Sequence, residues 1–350
     1  MRVLVAMSGG VDSSVAAALL VEQGHQVVGA TLKLWGGPSD SGCCSVADVD
    51  DARRVAQQLG IDHHVFNLSE EFERHVVTPY VDAHARGRTP NPCIECNRSI
   101  KFDRLLDRSD RLGFDRLATG HHARVTGGTP WALRRGADPA KDQSYVLSML
   151  GQDALGRVLL PVGEMTKDAV RAHAVALGLR TAGKPDSQDV CFIGSAQGRS
   201  AFLSGRMEFH PGEVVDGRGQ PAGSVDAMEL VTVGQRRGMG HGSDGRRRYV
   251  IAVDLPARRI TVGDAVAALT SVVVLPAGTV TWVAQPLVPG DRALAQMSAH
   301  GRAAPCGIER TDDGLLIRFD VPQRPVAPGQ TVALYDARET DAVVGAGIAA

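Results

Sequence analysis

The run Val3-Leu4-Val5-Ala6-Met7 leads directly into Ser8-Gly9-Gly10-Val11-Asp12-Ser13-Ser14, and no other stretch constrains the chain as tightly. Five apolar residues without polar alternation read as a strand covered on both faces, as in a parallel sheet. Val15, Ala16, Leu19 and Leu20 then recur at helical spacing up to a stop at Gly24. Between strand and helix, adjacent glycines let the backbone pass close to an anion, and the N–H groups of the next helix turn point at the same spot. The pattern predicts a phosphate cradle. Ser8, Ser13 and Ser14 are its expected hydroxyl donors, and Asp12 is the expected holder of a magnesium ion bridging phosphate oxygens.

In this setting Ser-Gly-Gly-x-Asp-Ser resembles the PP-loop of ATP pyrophosphatases. The resemblance implies cleavage of ATP between the α and β phosphates, with AMP attached to a substrate oxygen that thereby becomes a leaving group. A second phosphate motif, Gly178-Leu-Arg-Thr-Ala-Gly183-Lys184, fails as an ordinary P-loop. Pro185 stands where Ser or Thr would meet magnesium, and a helical pattern rather than a strand precedes it.

With 350 residues the chain is long enough for two or three domains. Its 38 basic and 39 acidic residues nearly cancel, so overall charge points to no polyanionic partner. Arg236-Arg237 and Arg246-Arg247-Arg248 are local clusters, which fit solvated loops better than a phosphate-contacting patch. No apolar run approaches the ~20 residues of a membrane helix, and no signal peptide is visible, so a cytoplasmic location is expected. Six cysteines in so long a chain read as thiols rather than a disulfide framework.

Along the chain, residues 26–35 and 63–68 read as further strands, with helices over 48–59 and from Ser69 to about Gly87, the latter capped by Ser69. The order implies a parallel sheet with helices on both faces. A Pro-rich loop, Thr89-Pro90-Asn91-Pro92-Cys93-Ile94-Glu95-Cys96-Asn97-Arg98, precedes an amphipathic helix bearing Ile100, Phe102, Leu105, Leu106 and Leu112. Thiolates near a helix start are favoured by its dipole, with Arg98 or Lys101 adding to the effect. Cys43-Cys44, pointing to opposite sides of an extended loop, make a poor metal pair. Residues 117–122 read as a fourth strand running into a Gly turn, beyond whose carboxyl end a ligand would bind. Thr166 caps a helix ending at Gly178. From about Arg206 the chain turns to short β-type runs, among them 229–233, 248–253 and 259–262, followed by a set suggesting a terminal barrel. The expected class is α/β: a Rossmann-like parallel-sheet domain over 1–205, a small β domain over 206–268 and a C-terminal β-barrel over 269–350.

Taken in order, Ala-Met-Ser-Gly-Gly-Val-Asp-Ser-Ser, Thr-Pro-Asn-Pro-x-x-x-Cys-Asn, Ala-Thr-Gly-His, Lys-Asp-Gln-Ser-Tyr, Cys-Phe-Ile-Gly, Gly-Gln-Arg-Arg-Gly and a late Pro-Gly-Gln resemble the tRNA-specific 2-thiouridylase family from first strand to last. That family adenylates the carbon-2 oxygen of a wobble uridine with ATP and then replaces the oxygen by sulfur, supplied as a persulfide from a cysteine desulfurase or a carrier. The resemblance implies Cys96 as nucleophile and Cys191 as persulfide carrier. It implies ATP contacts at Ala6, Met7, Ser8, Gly9, Gly10, Val11, Asp12, Ser13, Leu32 and Gly120. Contacts to tRNA fall at Asn91, Pro92 and Cys93 by the target base, and at His121, Lys141, Asp142, Gln143 and Gln330. Such a target base must be splayed out of its stack, which suits a single-stranded anticodon and an electropositive rim.

Two departures stand out. Some family members have Asp where this chain has Cys93, and here three thiols (Cys93, Cys96 and Cys191) are enough for three irons of a [4Fe-4S] cluster with one site open. The spare thiol tilts the sequence toward the cluster over a two-cysteine relay. Ser298-Ala299-His300 stands where a basic-aromatic tRNA contact is expected. Two rivals are another PP-loop adenylating ligase and a nucleotide-gated RNA-binding module, neither of which calls for both cysteine loops.

Overall fold

The computed structural model describes residues 1–35, 45–186, 190–193, 198–242 and 245–350. Its first part is built on strands β1 (Arg2–Ala6), β2 (Gln26–Lys33), β3 (Asp62–Asn67) and β4 (Arg116–Thr119), then a hairpin of β5 (Ala123–Gly127) and β6 (Trp131–Arg135), and the short β7 (Val158–Leu159). The order β3-β2-β1-β4-β7 is parallel throughout, as the buried runs require. Helix α1 (Val11–Glu22) follows β1 and α2 (Val46–Gln58) follows β2. Val3 and Val5 pack with α1 on one face while Leu4 joins a second apolar cluster on the other, the period-2 alternation of a doubly covered strand. Each such fully buried aliphatic side chain contributes roughly 1.5–3 kcal/mol. Because strand order reverses between β1 and β4, their following loops flank a crevice at the carboxyl edge of the sheet.

Several local expectations change. Ser69 does not cap its helix: Asn67 Oδ1 accepts from the Ser69 N–H and hydroxyl. Over Glu73–Val77 the helix widens to π-type bonding before Pro79, which has no N–H to donate. The cysteine helix likewise runs as a short turn Pro92–Glu95, a π segment Cys96–Arg104 and a final turn Leu105–Arg111. Leu112, expected on its apolar face, sits beyond the last turn and is exposed.

A second sheet holds β8 (Gly212–Asp216), β9 (Pro221–Val225), β10 (Tyr249–Asp254) and β11 (Arg259–Gly263) in the order β10-β11-β8-β9. Residues 229–233, expected as a strand, instead begin within a 3₁₀ turn at Met228–Leu230 whose Glu229 is buried against His210. The third sheet comprises β12 (Thr270–Pro276), β13 (Thr281–Trp282), β14 (Arg292–Gln296), β15 (Ala304–Thr311), β16 (Gly314–Gln323), β17 (Thr331–Asp336) and β18 (Val343–Ile348). It is a curled antiparallel sheet of order β12-β16-β15-β14-β17-β18-β13. Its seam is bridged where the Ala350 N–H donates to the Val274 carbonyl at 3.0 Å. Among the described residues no helix is long and apolar enough to cross a membrane.

Candidate active site

The loop after β1 is shaped by two close approaches. Gly9 has φ +71°, and a Cβ there would lie 2.3 Å from the Asp48 carbonyl oxygen. Gly120, in the loop after β4, passes so near α1 that a Cβ would lie 2.5 Å from the Ser13 nitrogen. Gly10 is the N-cap of α1 and no side chain caps that end, leaving first-turn N–H groups for an anion. The serines divide. Ser13 accepts from the Ser8 N–H at 3.2 Å and faces the crevice, whereas Ser14 is buried and spends its hydroxyl on the Gly10 carbonyl at 2.8 Å. Ser14 is therefore a helix-internal donor, contrary to the expectation from sequence.

The crevice is a cleft of about 270 Å³. Ala6, Met7, Ala30, Leu32 and Leu34 give it an apolar wall, and Lys101, His121, Lys141, Gln143 and Lys167 line its polar side. Asp12 is less solvent-facing than a loop position would be. Its carboxylate receives Lys167 Nζ at 2.7 and 2.8 Å and His122 Nε2 at 3.0 Å. Burial raises its pKa, but the hydrogen bonds from His122 and Lys167 outweigh this and hold it below the usual carboxylate range. Lys167 also reaches Asp186 at 2.8 Å, and Asp186 takes Lys141 at 2.8 Å and Arg171 at 2.9 Å. Burial opposes ionisation of Asp186 too, yet Lys141 and Lys167 keep it far below the ordinary value. His121 is held neutral chiefly by burial, with the charges of Lys101 and His122 adding to the effect. Its Nδ1 lies 2.7 Å from the Thr119 hydroxyl.

Lys184, at the end of the rejected P-loop motif, holds the glycine loop from outside the cleft. Its Nζ donates to the Gly9 carbonyl at 2.9 Å, to Asp48 at 2.5 Å and to Asp51 at 2.8 Å. Lys167, His122 and Asp186 were not singled out from sequence as site residues. One local signal existed for Lys167: it is the first residue of helix Lys167–Ala176, where the helix dipole disfavours a cation.

The thiol loop leads into the segment Cys96–Arg104, which carries both Cys96 and Lys101. Asn91 caps this helix, accepting from the Cys93 N–H at 3.0 Å and the Ile94 N–H at 3.4 Å. Pro92 and Cys96 are buried and Cys93 is half-buried. Arg98 pairs with Glu95 at 2.8 Å. Tyr80 links the thiols through packing: its ring meets Phe192 edge-on at 5.6 Å, and burial first, then the nearby Cys93, raises its hydroxyl pKa. Cys96 and Phe192 belong to one buried apolar cluster, with Cys191 packed against it. Among the described residues no three His, Cys, Asp or Glu side chains could hold a metal ion. Cys43-Cys44 lie outside the described residues.

The residues expected to meet tRNA separate into two kinds. His121, Lys141 and Gln143 line the cleft. Asp142 points inward instead, bound by Arg135 at 2.7 Å and by the Gly136 and Ser144 N–H groups at 3.0 Å each. Gln330 donates to the Thr89 carbonyl. The Thr89 N–H in turn donates to Pro328 at 2.8 Å, Arg88 donates to Ala349 at 3.1 Å, and the Thr89 hydroxyl meets Thr232 at 3.2 Å. The turn 298–300 is fastened by Gln296 Nε2, which donates to the Ser298 and Ala299 carbonyls at 2.9 and 3.2 Å.

Family models match three consecutive stretches: a tRNA methyl transferase HUP domain over residues 1–195, a tRNA methyl transferase PRC-barrel domain over 200–264 and an aminomethyltransferase beta-barrel domain over 273–349. The chain is 45% identical over 348 residues to the tRNA-specific 2-thiouridylase MnmA of Mycobacterium avium, covering 96% of this chain and 94% of that protein. It is 43% identical over 373 residues to the protein of the same name from a Roseiflexus species, covering 99% and 98%. A solved structure of the U34-tRNA thiolase NcsA from Methanococcus maripaludis with its [4Fe-4S] cluster is 20% identical, covers 58% of this chain and 64% of that one, and superposes with a TM-score of 0.37. At identities of this level along nearly the full length of both chains, this protein belongs to the tRNA-specific 2-thiouridylase family.

Proposed function

We propose that this chain is an ATP-dependent tRNA-uridine 2-sulfurtransferase, acting on the carbon-2 oxygen of a wobble uridine. The observation that carries the reading is the continuity of one helical segment, which has Cys96 at its start and Lys101 in the wall of the nucleotide-sized cleft. An ATP bound there presents its phosphates to Gly9, Gly10 and the first turn of α1, with the base against Ala30 and Leu32. Asp12, a hard oxygen donor facing that spot, suits Mg²⁺, which would neutralise phosphate charge there.

Attack by the uridine oxygen on the α phosphorus forms the O–P bond and expels pyrophosphate. The terminal sulfur of a Cys191 persulfide then adds at carbon 2, and the C–O bond breaks with loss of AMP. Cys96 takes the remaining Cys191 sulfur as a disulfide, which an external thiol reductant resets. The packing of Cys191 against the apolar cluster that contains Cys96 supports this relay. The sulfur donor is a cysteine desulfurase or a carrier it charges. Domain limits of 1–205, 206–268 and 269–350 suit this division of labour, with the later sheets and the exposed Arg236 and Arg237 forming the tRNA rim. Mass spectrometry of nucleosides from a strain lacking the gene tests the reading. Loss of 2-thiouridine derivatives is expected, and unchanged amounts would overturn it.

A further inference from the structure

The cleft contains a cation whose position the adenylation chemistry has not yet used. Lys167 is buried, with Nζ between Asp12 and Asp186 at 2.7–2.8 Å from each. An ammonium wedged between two carboxylates is ordinarily a structural tie. Here the rest of the network argues otherwise. Asp186 keeps Lys141 at 2.8 Å and Arg171 at 2.9 Å if Lys167 leaves, and Asp12 keeps His122 at 3.0 Å. Lys167 is thus a cation that both carboxylates can release without either being stranded, the condition that makes exchange of partners inexpensive. It is also stationed at the first residue of a helix, against the dipole, with its Thr166 cap already satisfied by the Ala169 N–H. A flexible four-carbon stem ending in a compact charge suits a ligand whose phosphates move during reaction.

We infer that Lys167 is a phosphate-contacting catalytic residue, transferring its ammonium from Asp12 and Asp186 to the β and γ phosphates of ATP and stabilising the departing pyrophosphate. In that step the α-phosphorus to bridging-oxygen bond breaks, the electron pair stays on that oxygen, and the added negative charge develops beside Lys167. The vacated Asp12 becomes available to the magnesium that accompanies the nucleotide. The two carboxylates therefore store the cation while the cleft is empty, and they keep it from closing on water or stray anions. Lys141 is the natural alternative, but among the described residues it has the single carboxylate partner Asp186 and is far more exposed, which fits a rim contact better.

The inference rests on the cleft being an ATP site, and the test separates the two. ATP and AMP are titrated against wild-type protein and Lys167→Met in the presence of Mg²⁺, and tRNA-dependent pyrophosphate release is followed alongside. ATP affinity is expected to fall tenfold or more in Lys167→Met, with AMP affinity unchanged within about twofold because AMP lacks the contacted phosphates. Pyrophosphate release is expected to fall by about 10²- to 10³-fold, with partial recovery in Lys167→Arg. Equal weakening of ATP and AMP, or no change in either, would overturn the inference while leaving the ATP site standing. Wild-type protein that binds no ATP would remove the site and the inference together. Asp186→Asn covers the case in which Lys167→Met does not fold. It loosens the store and should tighten ATP binding, whereas a purely structural tie predicts weaker binding, an outcome that would again overturn the inference.

Discussion

The nucleotide cleft and the thiol loop are joined by a single helical segment, yet they are built on different physics. At the cleft, position is set by charge: Asp12, Asp186, Lys141 and Lys167 form a continuous ion-pair set, and Lys184 fastens the glycine turn from outside through Gly9, Asp48 and Asp51. At the thiols, position is set by packing. Cys96 sits in an apolar cluster with Phe72, Tyr80 and Phe192, and the loop leading to it is fastened to residues more than two hundred positions later. A cleft governed by charge can exchange partners when a charged ligand arrives, whereas a packed wall fixes Cys96 among its apolar neighbours, with Cys191 against the same cluster. On the proposed mechanism, this difference makes the two half-reactions separable by mutation.

The sharpest way to break that comparison is at the thiols. Cys96→Ser and Cys191→Ser should abolish 2-thiouridine formation while tRNA-dependent pyrophosphate release stays within about threefold of wild type, and Asp12→Ala should abolish both. A Cys96→Ser protein that releases no pyrophosphate would show the halves to be one unit. Next in size is Gly9→Ala, where left-handed backbone strain and a clash with the Asp48 carbonyl together should cost roughly 3–4 kcal/mol in chemical denaturation and remove ATP binding.

Acid sharpens the comparison differently, because each region buries a neutral histidine. Burial drives His84, which packs against Tyr80 and lies 3.2 Å from the Glu229 carbonyl, down to about 4 from 6.5. The unfolded chain binds the proton more tightly between those values. Stability is therefore fully present above pH 6.5 and is lost as pH falls toward 4, by about 3 kcal/mol for this residue. His121 in the cleft adds a loss of the same sign. Unfolding midpoints measured from pH 7 to pH 5 should fall in wild type and fall less in His84→Gln. A smaller effect is expected for Gln330→Ala, which leaves the Thr89 carbonyl without that donor and should cost about 1 kcal/mol, with slower thiolation and unchanged ATP affinity. Smallest is charge reversal at the exposed Arg236 and Arg237, expected to weaken tRNA binding severalfold and to flatten its salt dependence.

The same contrast decides what was legible in the sequence. The turn Ser8–Ser13 is local, so its strand, glycines and helix announce themselves in a dozen residues, and the parallel sheet follows from the unalternating runs. Lys167 and Asp12 are 155 positions apart, and nothing short of the fold brings them together. Asp142, expected beside Lys141 as a tRNA contact, is turned inward by Arg135, whose guanidinium also covers the Tyr335 ring at 3.8 Å. Strands β14 and β15 escaped notice because alanine, glycine and proline interrupt their β-type residues and tertiary pairing supplies what propensity lacks. Leu112 was misread because helical spacing was extended one step past the last turn.

The grip on the Pro-rich loop has a consequence for how the molecule is made. Thr89 and Arg88 find their partners at Pro328, Gln330 and Ala349, and Gly329 approaches so closely that a Cβ would lie 3.3 Å from the Thr89 nitrogen. A ribosome has emitted the whole ATP-binding sheet long before it reaches these residues. During synthesis the cleft can form while the nucleophile loop still lacks its anchors, since contacts of such sequence separation close late. A nascent chain would therefore bind nucleotide before it could present Cys96 to a uridine, so that the reactive sulfur is assembled only when the last sheet has been translated.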